Sequence, residues 1–256
     1  MVLLYYIAVE YNRKTIMSER FTSFFFSLVL LVNIYFSIKV EPNELKSLSD
    51  RALSLFLFQF DYFFLFVYIV SKFLKNQIKP LLLLSITYGS LFLIGMSSLI
   101  IINDKQFDIV YSYVQPCIRI LLIIIFSDLT LEKRFLQDKI NYFLYSLWFI
   151  GGVGFLYMLN YYPRISMFSF NFYWVVIMVF VLAGIQVERQ KKPNRTLFLI
   201  GIFFTGIADL YYILPPEVRI FEFTYIFIRV INTIGEFLIV NHILRFYTIF
   251  QRGKYL

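Results

Sequence analysis

Residues 80–102 read PLLLLSITYGSLFLIGMSSLIII, a run without one charged side chain, preceded by Lys79 and followed by Asn103-Asp104. A helix that crosses a hydrocarbon core of about 30 Å needs roughly 20 mostly apolar residues in succession. Within lipid each backbone N–H and C=O must find its partner inside the segment, and an α-helix meets that demand. The stretch reads as a membrane-spanning helix.

The same pattern recurs on both sides of this run. Phe21–Ile38 and Leu53–Val70 precede the run, and Ile109–Phe126, Tyr142–Tyr161, Phe168–Val187, Thr196–Leu214 and Phe223–Phe246 follow it. Chain-breaking residues sit at the joints, at Glu41-Pro42-Asn43, Lys79-Pro80, Lys192-Pro193-Asn194 and Pro215-Pro216, where turns are expected. The last segment is long enough to leave the membrane as an amphipathic turn ending at Arg245. The longest polar stretch surrounds Glu41–Arg51, too short for a soluble domain. The expected fold class is all-α, a polytopic transmembrane helical bundle of about eight spans, forming a single domain over residues 1–256.

Charge gives an independent check on the count. When the connections alternate between sides, the side holding the N-terminus collects Arg13, Lys14, Arg20, the Lys72/Lys75/Lys79 and Lys133/Arg134/Lys139 groups, the basic loop Arg189–Arg195, and Arg245, Arg252 and Lys254. The opposite side collects only Lys39, Lys46, Arg51, Lys105, Arg164 and Arg219. Basic residues concentrate in cytoplasmic loops of membrane proteins, so both termini are expected in the cytoplasm. Composition agrees: 16% of residues are charged, against about a quarter in soluble domains, which must wet their surface.

Several function classes fall away. The net charge of +8 is spread among short loops and not along one face, so no nucleic-acid partner is expected. The single cysteine, Cys117, excludes an internal disulfide and a CxxC motif; beside Pro116 in an apolar run, it reads as core packing. Met1–Tyr11 is apolar before the basic Arg13 and Lys14, the wrong order for a cleaved secretory signal. No GxSxG, HExxH or phosphate-loop pattern occurs. With one histidine, His242, and no lysine in the last span, haem, polyhistidine-metal and retinal sites of the usual kinds lack their ligands. No cofactor is expected.

The ionisable groups inside spans carry the remaining information, because each costs several kcal/mol unless paired. They are Asp61, Arg119, Asp209, Arg229 and Glu236, with His242 near a wet end. Tyr225, Arg229, Asn232 and Glu236 step by four, three and four along the last helix and share one face. Thr205, Asp209 and Tyr212 do the same on the seventh, and Tyr111, Gln115 and Arg119 on the fourth. At about 1.5 Å per residue, Asp61, Arg119, Asp209 and Arg229 lie between mid-membrane and the outer third. Compatible depths suggest one shared polar cavity. Buried Arg–carboxylate pairs that only lock helices together give the same pattern. The Lys72, Lys75 and Lys79 loop reads as a topology determinant that can also touch anionic headgroups.

Two segments carry a resemblance. Gly201-Ile-Phe-Phe-Thr-Gly-Ile-Ala-Asp209 resembles the seventh helix of the YhhN family of lysoplasmalogenase-like membrane proteins, and Thr224-Tyr225 through Gly235-Glu236-Phe-Leu-Ile-Val240 resembles its last helix. Lys79-Pro80-Leu-Leu is similar to the entry of an early helix. The resemblance implies eight spans with both ends cytoplasmic, in a bacterial inner membrane. It also implies hydrolysis of the vinyl-ether bond of a lysolipid by intramembrane carboxylates, with membrane lipid as the partner. Asp209 is the family's catalytic candidate carried over. The third-span aspartate has no counterpart, since that region reads Gly95-Met96-Ser97-Ser98, and the serine before the seventh-span aspartate is Ala208. Asp61 or Glu236 is then the second acid–base group, since a carboxyl pair in a dry site can divide proton delivery from water activation. Arg119, Arg229, Asn232, Tyr225 and Tyr212 are the expected substrate-binding residues, an arginine holding a carboxylate or a phosphate. The alternative is a non-enzymatic transporter, or a sensory or scaffold module whose intramembrane charges pair structurally.

Overall fold

The computed structural model describes residues 22, 24–32, 34–35, 53, 56–57, 59–97, 104–129, 139–159, 167–187, 195–213 and 222–253. Among them the chain is helical, with no strand. Eight helices follow one another: α1 (residues 24–32), α2 (Phe60–Asn76), α3 (Lys79–Ser97), α4 (Asp104–Leu129), α5 (Lys139–Leu159), α6 (Met167–Gln186), α7 (Arg195–Ile213) and α8 (Glu222–Gly253). They fall in order on the eight apolar segments of the sequence. Two of them, over Lys79–Ser97 and Ile226–Tyr247, are long and apolar enough to cross a membrane, and shorter apolar helices cover Val114–Ser127, Phe172–Gln186 and Thr196–Tyr212.

The chain divides into two compact units, Met1–Asp61 and Tyr62–Leu256. In the first, α1 buries Phe26 and Val29, one helical step of three apart, while Phe24, Leu28 and Leu31 are exposed. The helix is therefore apolar on both its inner and its outer side. Asp61, the last residue of this unit, is buried on the first turn of the helix that begins at Phe60, the end where the helix dipole favours an acid.

In the second unit, α2 runs past the expected end at Val70 as far as Asn76. Gln77 then takes a left-handed conformation, φ 51°, and its N–H donates to the Phe73 carbonyl at 2.6 Å. This is a C-cap geometry that glycine usually fills. Lys79-Pro80 opens α3 directly after it, proline being tolerated in a first turn because its missing N–H would have no helical acceptor. The two helices touch through Phe63 and Phe92, ring centroids 5.2 Å apart. Leu81, Leu84, Tyr88, Leu91 and Gly95 form the buried side of α3, while Leu82, Ile86 and Leu93 face outward.

Beyond this hairpin, α3 packs on α4, α4 on α6, α5 on α6, α6 on α7 and α7 on α8. Pro116 lies inside α4, where it removes one helical N–H donor. The α7–α8 contact is the most intimate. A Cβ added to Gly201 would lie 2.9 Å from the Gly235 carbonyl oxygen, and one added to Gly235 would lie 2.9 Å from the Gly201 carbonyl oxygen. Large apolar side chains remain exposed on several helices, among them Leu74, Leu93, Phe143, Ile150 and Phe227. Soluble monomers rarely leave so much apolar surface in water.

Candidate functional site

The centre of the second unit is polar. Arg119 on α4 is entirely buried, with 0% of its surface exposed, and so are Asp209 on α7 and Glu236 on α8. Its Nε donates to Asp209 Oδ2 at 2.6 Å and its Nη2 to Asp209 Oδ1 at 2.9 Å. This is the two-pronged geometry that makes arginine–carboxylate pairs strong. The third prong, Nη1, donates to Glu236 Oε1 at 2.7 Å. On the far side of Glu236, the Tyr88 hydroxyl of α3 donates to Oε2 at 2.5 Å. Phe180 of α6 lies against the guanidinium, its ring centroid 5.2 Å from the central carbon, an attractive arrangement for a cation over a ring face. Four helices thus meet at the Arg119 side chain, and a fifth, α3, joins through Glu236.

Local sequence explains why these residues point inward. Leu122, Ile125, Phe126 and Leu129 continue the face of α4 that holds Arg119, and all are buried. On α7, Ile202, Thr205 and Asp209 share a buried face, and on α8 so do Asn232, Glu236 and Ile239. The glycine crossing brings α7 and α8 close enough for one guanidinium to span both carboxyl groups.

Charge does not balance within this set, which holds one guanidinium and two carboxyl groups. One helical turn before each charged residue stands a buried polar side chain: Gln115 before Arg119, Thr205 before Asp209 and Asn232 before Glu236. Gln115 Oε1, Thr205 Oγ1 and Asn232 Oδ1 have no hydrogen-bond partner among the described residues, uncommon for buried polar atoms.

The remaining expected residues divide. Asn232 Nδ2 donates to the Tyr62 hydroxyl of α2 at 3.0 Å, and the Arg229 guanidinium lies 5.9 Å from the centroid of the same ring. These two form a second polar locus on α8, one to two turns from Glu236. Tyr212 is half-buried beside Tyr211, ring centroids 5.9 Å apart, against the apolar group of Ala208, Ile228 and Ile231. Tyr225 belongs to α8, but its side chain lies outside the described residues, as does that of Tyr111. Asp61 belongs to the first unit, and Arg119 draws both its carboxylate partners from the second. His242 stacks on Phe198 with centroids 4.3 Å apart, a packing contact.

One expectation is overturned. Cys117 is exposed and not part of the core. Its neighbours Pro116, Ile118 and Arg119 take the inward positions of that turn, and the helical rotation of about 100° per residue carries Cys117 outward. Two residues of the cluster escape a reading of the sequence. Tyr88 stands at the same helical spacing as Leu81, Leu84 and Leu91, a signal for its face but not for its partner. Phe180 lies in the uniformly apolar run Trp174–Leu182, where no face is distinguishable.

Among the described residues no group of three or more His, Cys, Asp or Glu side chains could hold a metal ion. Compared with models of protein families, with curated proteins and with solved structures, the chain finds no match.

Proposed function

We propose that this chain is an integral, multi-pass membrane protein of eight spans with both termini in the cytoplasm, and that its intramembrane charges form a helix lock in a non-enzymatic module of the transporter or sensory class. The observation that carries the reading is Asp209: both of its oxygens are held by Arg119, and neither residue exposes any surface. A catalytic carboxyl needs an oxygen within hydrogen-bond reach of the substrate atom it protonates or deprotonates. Here that reach is spent on the guanidinium. The outward apolar side chains of α3, α5 and α8 support lipid as their surroundings, and a bacterial inner membrane suits the charge asymmetry.

A hydrolase of the lysoplasmalogenase type, acting on lysolipid, is the second reading. It is favoured by Glu236, a carboxyl beyond what Arg119 neutralises, flanked by a hydroxyl as an acid–base pair would be. The test is turnover. Purified protein should release no product from lysoplasmalogen or lysophospholipid; turnover lost in a folded Asp209→Asn or Glu236→Gln variant would replace the first reading with the second. Topology is tested separately by reporter fusions or labelling at Lys46, Lys105, Arg164 and Arg219, which all belong outside. A cytoplasmic result at any two of them would reject eight spans.

A further inference from the structure

We propose that the Arg119 cluster binds one monovalent cation, a proton or a sodium ion, at Glu236, between α7 and α8. The inference rests on the reading of this region as a sealed, membrane-embedded lock, and it adds what that lock responds to.

The first ground is charge. Arg119 supplies one positive charge to two carboxyl groups, all three fully buried. Asp209 engages the guanidinium with both oxygens, so the excess resides on Glu236. One further positive charge makes the set neutral, whereas a divalent ion would overshoot. The second ground is independent of charge. Thr205 Oγ1 and Asn232 Oδ1 are buried oxygens without a hydrogen-bond partner among the described residues, each one turn from a carboxylate of the cluster. The Thr205 hydroxyl lies against α8 at Gly235, the residue before Glu236 in the chain, 2.6 Å from where a Cβ of Gly235 would stand. Hydroxyl, amide and carboxylate oxygens are the ligands a hard cation takes, and they equally accept a hydrogen bond from a protonated carboxyl.

The groups facing Glu236 are few. Tyr88 comes from α3, Arg119 from α4 and Asp209 from α7, while α6 contributes Phe180. Tyr173 of α6 acts on Arg119, and Tyr62 of α2 on Tyr88, at longer electrostatic range. Among these only Arg119 is positively charged; the other buried cation of α8, Arg229, lies against the Tyr62 ring, about two turns from Glu236 along the helix. With the cation bound, α3, α4, α7 and α8 are drawn to one point; without it, Glu236 and Asp209 repel across the α7–α8 contact.

The experiment is thermal melting of the full chain in detergent, at fixed pH in NaCl against choline chloride, and in choline chloride from acidic to alkaline buffer. Sodium binding predicts a saturable rise in Tm of roughly 5–10 °C with NaCl that choline does not reproduce. Proton binding predicts indifference to NaCl and a Tm that falls as pH rises. The two arms therefore distinguish the sources of the charge. In either case Glu236→Gln, which removes the surplus charge, should lose the response. Where that variant does not fold, Asp209→Asn balances the cluster from the other side and should lose it too. Melting that is flat in both series, or an unchanged response in the folded variants, overturns the proposal. Flat melting leaves the non-enzymatic reading standing, whereas lipid turnover would remove that reading and leave cation binding to be judged on these curves.

Discussion

Gly201 and Gly235 face one another across α7 and α8 so closely that a methyl group on either would stand 2.9 Å from the other's carbonyl oxygen. Backbone atoms cannot step aside as a flexible side chain can. Gly201→Ala and Gly235→Ala should each push the two helices apart and cost about 1–3 kcal/mol, the usual range for overpacking. Gly151→Ala and Gly154→Ala on α5, where a Cβ meets nothing within 4 Å, should be neutral or gain up to about 1 kcal/mol from helix propensity. Thermal melting of the four variants checks the contrast; similar shifts in all would remove the crossing as a packing determinant.

Within the cluster, the three charged residues should rank. Arg119→Met leaves two buried carboxyl groups without their cation and should cost about 3–5 kcal/mol or fail to fold. Asp209→Asn keeps one acceptor oxygen for Arg119, replaces the other with a donor and leaves the guanidinium charge to Glu236, and should cost less, about 1.5–3 kcal/mol. Glu236→Gln, which leaves Arg119 matched by Asp209, should cost least. Unfolding in a graded denaturant series measures the order. Glu236→Gln emerging as the most damaging would contradict the charge count.

Tyr88→Phe removes one hydroxyl and little else. The 2.5 Å bond to Glu236 is of the charge-assisted kind, so its loss should cost about 1.5–3 kcal/mol. A double-mutant cycle of Tyr88→Phe with Glu236→Gln should show that the two effects do not add, because they share this bond. Additive losses would mean that the hydroxyl acts elsewhere.

Gln77 offers a gain. Its φ of 51° is a conformation that side chains disfavour and glycine adopts freely. Gln77→Gly should stabilise the α2–α3 hairpin by about 0.5–1 kcal/mol, seen as a raised melting temperature. A loss would show that the Gln77 side chain contributes more than its backbone strain costs.

How far the sequence reveals all this depends on the kind of signal. Arg119, Asp209 and Glu236 stand out because an ionisable residue in an apolar run is costly and therefore informative. The helix order is legible for the same reason, through the polar joints between apolar runs. Pairing is not. Asn232 and Glu236 share a face of α8, yet Asn232 meets Tyr62 and Glu236 meets Arg119 and Tyr88, because different helices line that face at different heights. Nor does composition disclose that Gly201 and Gly235 lie opposite each other, since each glycine alone reads as a mild helix weakener. Cys117 fails for a simpler reason: an apolar neighbourhood in sequence surrounds a helix on all sides and does not say which side faces in.

The order of the cluster along the chain has a consequence for how the protein is made. Arg119 is synthesised long before either of its carboxylate partners, which arrive with the last two helices. A chain emerging N-terminus first must hold an uncompensated guanidinium in α4 while some ninety further residues are added before Asp209 appears, at a cost of about 2.5–3.5 kcal/mol if that helix sits in lipid alone. Biogenesis is thus tied to completion. Helix α4 packs on α3 and α6 before that point, but on the proposed membrane reading Arg119 gains its carboxylate partners only when α7 and α8 arrive, so a chain halted before residue 209 holds a guanidinium without its counter-charge.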